Sequence, residues 1–255
     1  MADQQVLVER DGEVLIITIN RPHARNAVTE AVGVGISRAI DELDDSPGLS
    51  VGVITGAGAT FCAGMDLKAF VRGERPVVEG RGFAGLVEQP PAKPLIAAVE
   101  GYALAGGFEI VLACDLVVAG QTASFGLPEV KRSLVAAGGG LLRLPHRIAY
   151  HQAMEVALLG DALTAQRAYD LALVNWLVPD GQALSTAREI ATRIAANGPL
   201  GVIASKRIIV ESGNWSDEEA FSRQEEIAGP VAASHDALEG ATAFAEKRAP
   251  VWHGR

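Results

Sequence analysis

Short apolar runs alternate with segments of helical periodicity through the first half of the chain. Val14-Leu15-Ile16-Ile17-Thr18-Ile19 is rich in β-branched residues and closes on Asn20-Arg21-Pro22, which predicts a buried strand. Val32, Ile36, Ile40 and Leu43 then fall on one face of a helix, with Thr29 placed to cap its start and Asp44-Asp45-Ser46-Pro47-Gly48 to end it. Leu49 to Thr55, Leu95 to Val99 and Leu116 to Ala119 read as further strands. Gly106-Gly107 opens an apolar helix that runs to Ala113. The Gly- and Ala-rich stretch after Thr55 reads as a loop. Residues 71–91, with mixed charges, prolines and glycines, predict a loop or an irregular helix.

The second half is patterned mostly for helices, over 151–159, 165–172, 182–196, 200–212 and 235–246. Thr164 is a cap candidate for the second, and Leu173 to Val178 predicts a short strand. Ser216-Asp217-Glu218-Glu219 has the form of a capping box before a further helix. Strands alternating with helices, then helices alone, imply an α/β core followed by a helical region. We divide the chain into a core over 1–196 and a helical C-terminal region over 197–255, at Asn197-Gly198-Pro199. A length of 255 residues suits one large domain or one with an appendage.

Net charge is −9, which opposes general binding to nucleic acid, since that binding rests on many cationic contacts with phosphate. One anionic ligand met by a few local cations is compatible with it. The first residues lack the basic and apolar regions of a secretory signal, and the longest uncharged stretch, 46–65, is broken by Pro47 and several glycines, so no membrane span is expected. Two cysteines, Cys62 and Cys114, without a CxxC fit a reducing, cytoplasmic setting, where both serve as small buried apolar residues.

Most reactive-site signatures are missing. Gly56-Ala57-Gly58-Ala59-Thr60-Phe61 starts like a dinucleotide-binding turn but has Phe61 where the third glycine belongs. There is no GxxxxGK[ST], no GxSxG and no HExxH, and the five histidines show no ligand spacing, so a metal site is not expected. Carboxylates are the remaining candidates for proton chemistry.

Two segments stand out: Phe61-Cys62-Ala63-Gly64-Met65-Asp66-Leu67-Lys68, and Gly101 to Glu109 followed by Cys114-Asp115-Leu116 and Phe125-Gly126-Leu127-Pro128-Glu129. With Asn20-Arg21-Pro22, Arg25-Asn26-Ala27 and the ending Phe244-Ala245-Glu246-Lys247-Arg248, the chain resembles the enoyl-CoA hydratase/isomerase, or crotonase, family from about residue 6 to its end. The resemblance implies an α/β spiral of ββα turns with a helical C-terminal trimerisation region. It implies hydration of a trans-2-enoyl-CoA to a 3-hydroxyacyl-CoA, with a homotrimer or a dimer of trimers as the assembly. Coenzyme A is then part of the substrate, and no separate cofactor is expected.

The chemistry of such a reaction asks for what these segments offer. Negative charge grows on the thioester oxygen, and preorganised backbone N–H groups can hold it. Gly106-Gly107 at a helix start supplies free N–H groups and a favourable dipole, although the same pair would also serve plain helix–strand packing. By resemblance the oxyanion donors are the N–H groups of Met65 and Gly106. Glu109, in an otherwise apolar helix start, and Glu129, after Pro128, are acids whose charged forms burial would disfavour. By themselves they read equally as a helix-terminal acid and a solvated loop acid. By resemblance they are a coupled acid/base pair, Glu109 activating water and Glu129 delivering a proton, in an order that the sequence leaves open.

The resemblance also places coenzyme A against the turn at Arg25 and Ala27 and against Ala63, Asp66 and Gly107. Lys68 is matched to a cation beside the nucleotide, and Phe244 with Lys247 to a pair reaching a neighbouring subunit's ligand. Lys68 and Lys247 read equally as surface charges, and Arg25 as a loop anchor. After Glu129, many hydratases have a Pro-Gly pair; here the run is Leu134-Val135-Ala136-Ala137-Gly138-Gly139-Gly140, with Ala137 matched to an N–H that helps hold the water. Double-bond isomerisation, dehydration of a specialised substrate such as carnitinyl-CoA, and a non-catalytic acyl-CoA- or RNA-binding relative are the alternatives. Two retained glutamates favour water chemistry over the first.

Overall fold

The computed structural model describes residues 4–255. Its centre is a six-stranded sheet: β1 (Val6–Asp11), β2 (Val14–Ile19), β3 (Val51–Gly56), β6 (Leu95–Val99), β8 (Leu116–Gly120) and β11 (Trp176–Val178), in that spatial order. β1 pairs antiparallel with β2, and the other pairings are parallel. Parallel strands buried on both faces read as continuous apolar runs, which is why their positions are legible in the sequence. β1 is not, because five of its six residues are exposed and Glu9, Arg10 and Asp11 end it.

Side chains of each central strand alternate between two cores. Leu15, Ile17 and Ile19 of β2, with Ile54, Leu95, Ala97 and Val99, face α1 (Glu30–Asp45) and α3 (Gly106–Ala113). Val14, Ile16, Val51, Val53, Ile96 and Ala98 face α7 (Ala183–Ala195). Thr29 caps α1 as expected, its hydroxyl accepting the Val32 N–H at 3.3 Å. Thr164 does the same for α6 (Ala165–Asp170) through Arg167, at 3.2 Å.

A second wall of short strands stands beside the main sheet. β7 (Tyr102–Leu104) pairs with β9 (Ser124–Gly126), and β9 with β10 (Leu163–Thr164). Bridges from Cys62 to Ala103 and from Met65 to Val28 extend the row. The chain therefore repeats one turn: a long strand, a short one, then a helix, as in β6–β7–α3. α2 (Leu67–Val71) closes the turn that starts with β3. The short strands escape a pattern search because two or three residues carry no period.

Residues 71–91 hold the end of α2 and a small hairpin, β4 (Val77–Val78) with β5 (Gly82–Phe83), and no irregular helix. α4 (Gly140–Arg143), α5 (Tyr150–Leu159), α8 (Pro199–Ser212), α9 (Ala220–Ala232) and α10 (His235–Glu246) complete the helices. The capping box at Ser216 is not formed. The Ser216 carbonyl, not its hydroxyl, accepts the N–H groups of Glu219 and Ala220, so 216–219 is a turn and α9 starts one residue beyond it without a side-chain cap. The chain ends in a clasp: Asp236 accepts the N–H groups of His253 and Gly254 at 2.8 Å, and Trp252 donates to the Ala196 carbonyl at 3.0 Å. Among the described residues, no helix is long and apolar enough to cross a membrane.

Candidate active site

The turn at Gly64-Met65 is built so that one backbone donor points away from the protein's own ladder. Val28 donates to the Gly64 carbonyl at 2.8 Å and accepts from Asp66 at 2.9 Å. In such a bridge the intervening residue, Met65, directs its own N–H to the opposite side. Gly64 has φ of 96°, and a methyl group there would lie 2.8 Å from the Ala105 Cβ and 3.2 Å from the Gly106 nitrogen. The Met65 turn and the start of α3 are thus pressed together. Ala105, the residue before α3, has φ of 53°, a strained value for alanine of the kind that gathers at functional sites. Gly106 follows as the first residue of α3, where a free N–H and the helix dipole coincide. Gly107 owes its identity to packing: a methyl group would meet the Cys62 carbonyl at 2.2 Å.

All eight residues of α3 are buried, so Glu109, only 4% exposed, has an apolar surrounding on its own helix. Its Oε1 accepts the Gly140 N–H at 3.0 Å. Burial pushes its carboxyl above the usual range, opposed by the N–H groups of Gly140 and Gly138 and by the charge of Arg143. Glu129 stands in a 3-10 turn over Pro128–Arg132. Its Oε2 is buried with no hydrogen-bond partner among the described residues. Burial raises its carboxyl too, its own N–H lowers it, the charge on Glu109 adds to the rise and Arg132 opposes it. The two acids therefore share one electrostatic site. A buried acceptor without a partner, next to a second desolvated acid, suits a proton donor and acceptor pair acting on a ligand.

The turn matched to coenzyme A is held by a network that the sequence does not announce. Asn26, fully buried, accepts from Arg21 N at 2.9 Å and donates to the carbonyls of Ala57 and Thr60 at 2.9 and 2.6 Å. Arg25 and Asn26 both have positive φ, near 51° and 55°. The Arg25 carbonyl accepts the Ala63 N–H at 3.1 Å, and the Ala27 carbonyl accepts from the Arg21 guanidinium. The Asp66 carboxylate has a structural job: it caps α2 through Lys68 N and Ala69 N and pairs with Arg21 at 2.9 Å. Burial opposes its ionisation, but the Ala69 N–H, Arg21 and the Lys68 N–H outweigh it and hold its carboxyl below the usual range. Its main chain is engaged as well, the N–H with the Val28 carbonyl and the carbonyl with the Phe70 N–H, both at 2.9 Å.

Arg25, Lys68, Phe244 and Lys247 are exposed, Phe244 by 88%. Lys247 ends α10 with φ of 56°. Ala137 is exposed, and the N–H groups turned toward Glu109 belong to Gly138 and Gly140. The Phe83 ring lies on Gly106, where a methyl group would meet it at 2.4 Å. Two cavities of about 800 and 1080 Å³ flank Trp252 near the C-terminal helices, and neither includes Glu109, Glu129, Met65 or Gly106.

Backbone donors at a helix start beside two desolvated acids, on a spiral of strand–strand–helix turns, define a crotonase-type site. The family model for enoyl-CoA hydratase/isomerase matches residues 9–255. The chain is 45% identical to enoyl-CoA hydratase EchA19 of Mycobacterium tuberculosis, over 98% of this chain and 96% of that protein. It is 41% identical to a carnitinyl-CoA dehydratase of Proteus mirabilis, over 96% of each. The crystal structure of an enoyl-CoA hydratase from Mycobacterium tuberculosis H37Rv superposes with a TM-score of 0.97 at 60% identity, covering 99% of this chain and all of that one. The chain belongs to the enoyl-CoA hydratase/isomerase family and is a crotonase-family enzyme.

Proposed function

We propose that this enzyme adds water across the double bond of a trans-2-enoyl-CoA to give a 3-hydroxyacyl-CoA. Glu109 takes a proton from water, the oxygen of that water bonds to C3, and the C2–C3 π electrons move toward the thioester. The charge reaching the thioester oxygen is held by the N–H groups of Met65 and Gly106. Glu129 gives its proton to C2, and the enolate electrons form the new C–H bond. The proton on Glu109 then returns to Glu129 through solvent, which balances the cycle. The buried Glu109 carboxyl held by the Gly140 N–H, and the buried Glu129 Oε2 without a partner among the described residues, are the observation that carries this reading. Their roles exchange in the reverse direction.

Coenzyme A is part of the substrate in this reading, so the reaction needs no further cofactor. Lys68 meets its phosphates, and Ala27, Ala63 and the Asp66 main chain line its path. Phe244 and Lys247 serve the ligand of a neighbouring copy in a trimer or a dimer of trimers. The exposure of Phe221 and Phe244 on the C-terminal helices supports such an assembly. A second reading is reversible dehydration of a specialised acyl-CoA; the carnitinyl-CoA dehydratase likeness favours it.

A panel of straight-chain enoyl-CoA esters and carnitinyl-CoA, analysed by product mass, separates the two. Gain of one water by crotonyl-CoA or a longer homologue is expected. Reaction with carnitinyl-CoA alone would favour the second reading, and no reaction with any ester would overturn both.

A further inference from the structure

We propose that Arg143 is a positioning residue of this site, locking the turn that holds Glu109 to the wall that lies on Gly106. Arg143 ends α4, half-buried, and its Nη2 donates to the Val87 carbonyl. Its Nη1 folds over Gly139, where a methyl group would come within 2.3 Å of it. Gly139 leads directly into Gly140, whose N–H is bonded to Glu109 at 3.0 Å. On the other side, Val87 N bonds the Phe83 carbonyl at 3.4 Å, and the Phe83 ring lies on Gly106. One guanidinium thus spans the acid's cradle and the segment beside the oxyanion donor. The guanidinium's rigid fork holds two nitrogens apart, one toward each of these places, a geometry that the single nitrogen of an ammonium lacks.

The same group has an electrostatic part. Glu109 is faced by Glu129, by Arg143, and by the N–H groups of Gly138 and Gly140. Arg143 is the cation acting on Glu109, while Arg132 acts on Glu129. Around Arg143 itself stand Arg147, Glu109 and Cys114. Burial and Arg147 work against its charge, and Glu109 supports it, so cation and carboxylate stabilise each other. Loss of the cation leaves desolvation less opposed, and the Glu109 carboxyl moves further up. A residue that only braced α4 would change folding stability and leave that ionisation where it was.

The inference rests on Glu109 being the working acid, and its test is separable from the reaction. The protonated-carboxyl infrared band of the unliganded enzyme, assigned by its loss in Glu109→Gln, is titrated in the wild type, Arg143→Gln and Arg143→Lys. The glutamine variant is expected to raise the midpoint by about 0.5 pH unit or more, with the lysine variant between it and the wild type. The acid limb of kcat/KM on crotonyl-CoA moves in the same direction. Equal midpoints in all three proteins would overturn the proposal, even if turnover falls. Should Arg143→Gln fail to fold, Arg143→Lys decides, since its displaced charge still predicts an upward move and no move overturns. A raised midpoint in an enzyme that hydrates no enoyl-CoA would sink the hydratase reading and leave Arg143 in its role.

Discussion

Glu109 projects from a helix buried along its whole length, and one of its oxygens takes a backbone N–H. Glu129 stands on a 3-10 turn whose later residues reach solvent, and one of its oxygens is buried without a partner. Burial raises both carboxyls, so their chemistry begins alike. What differs is restraint. The acid on α3 is fixed by groups that favour its charged form, which fits a base aimed at one water. The acid on the turn has an unsatisfied oxygen and a neighbour whose charge favours keeping its proton, which fits a donor. Burial sets the direction in which both carboxyls move, and local hydrogen bonds and charges set how far each move is opposed.

The largest expected effect comes from breaking what both acids depend on. Gly64→Ala puts a methyl group between the Met65 turn and Gly106, and steady-state kinetics are expected to show a fall in kcat of about 10²- to 10³-fold, the usual cost of losing one oxyanion donor. A mild effect would mean that neither backbone group bears developing charge. Next, Glu109→Gln and Glu129→Gln are each expected to lower turnover by at least about 10²-fold. Near-full activity in one of them would reduce the pair to a single working acid.

The smallest effect is on stability, and its sign follows from ionisation. A carboxyl raised in the folded protein favours folding while protonated, and that advantage is lost as pH climbs from the ordinary carboxylate range through the raised value. Glu129→Gln lacks that loss. Its melting temperature relative to the wild type is expected to improve as pH rises from about 4.5 to 8. A constant difference across that range would place Glu129 in water.

Much of the fold was legible because a parallel sheet buried on both faces leaves continuous runs such as Val14–Ile19 and Leu95–Val99. β1 was not, since an exposed edge strand needs no apolar run, and the capping box at Ser216 misled because the same residues also suit a tight turn. Of the site, Met65, Gly106, Glu109 and Glu129 were named from motifs; the structure presses the Met65 turn against Gly106 and leaves both acids desolvated, with the Glu109 charge acting on Glu129. Gly138 and Gly140 lay in a stretch noted for its departure from a Pro-Gly pair and for Ala137, and Arg143, three residues beyond it, was not named. Their part depends on where a turn lands against α3, which spacing along the chain does not encode. Asn26 and the Arg21–Asp66 pair were quoted inside motifs, but their long-range partners have no periodic signature.

The central claim is that Glu109 and Glu129 act on one site, and carboxyl titration tests it without any substrate. The Glu129 midpoint, assigned through Glu129→Gln, is measured by infrared spectroscopy in the wild type and in Glu109→Gln. Removing the neighbouring charge is expected to bring the Glu129 midpoint down. An unchanged midpoint would mean that the two acids do not sense each other, and the shared site would be contradicted.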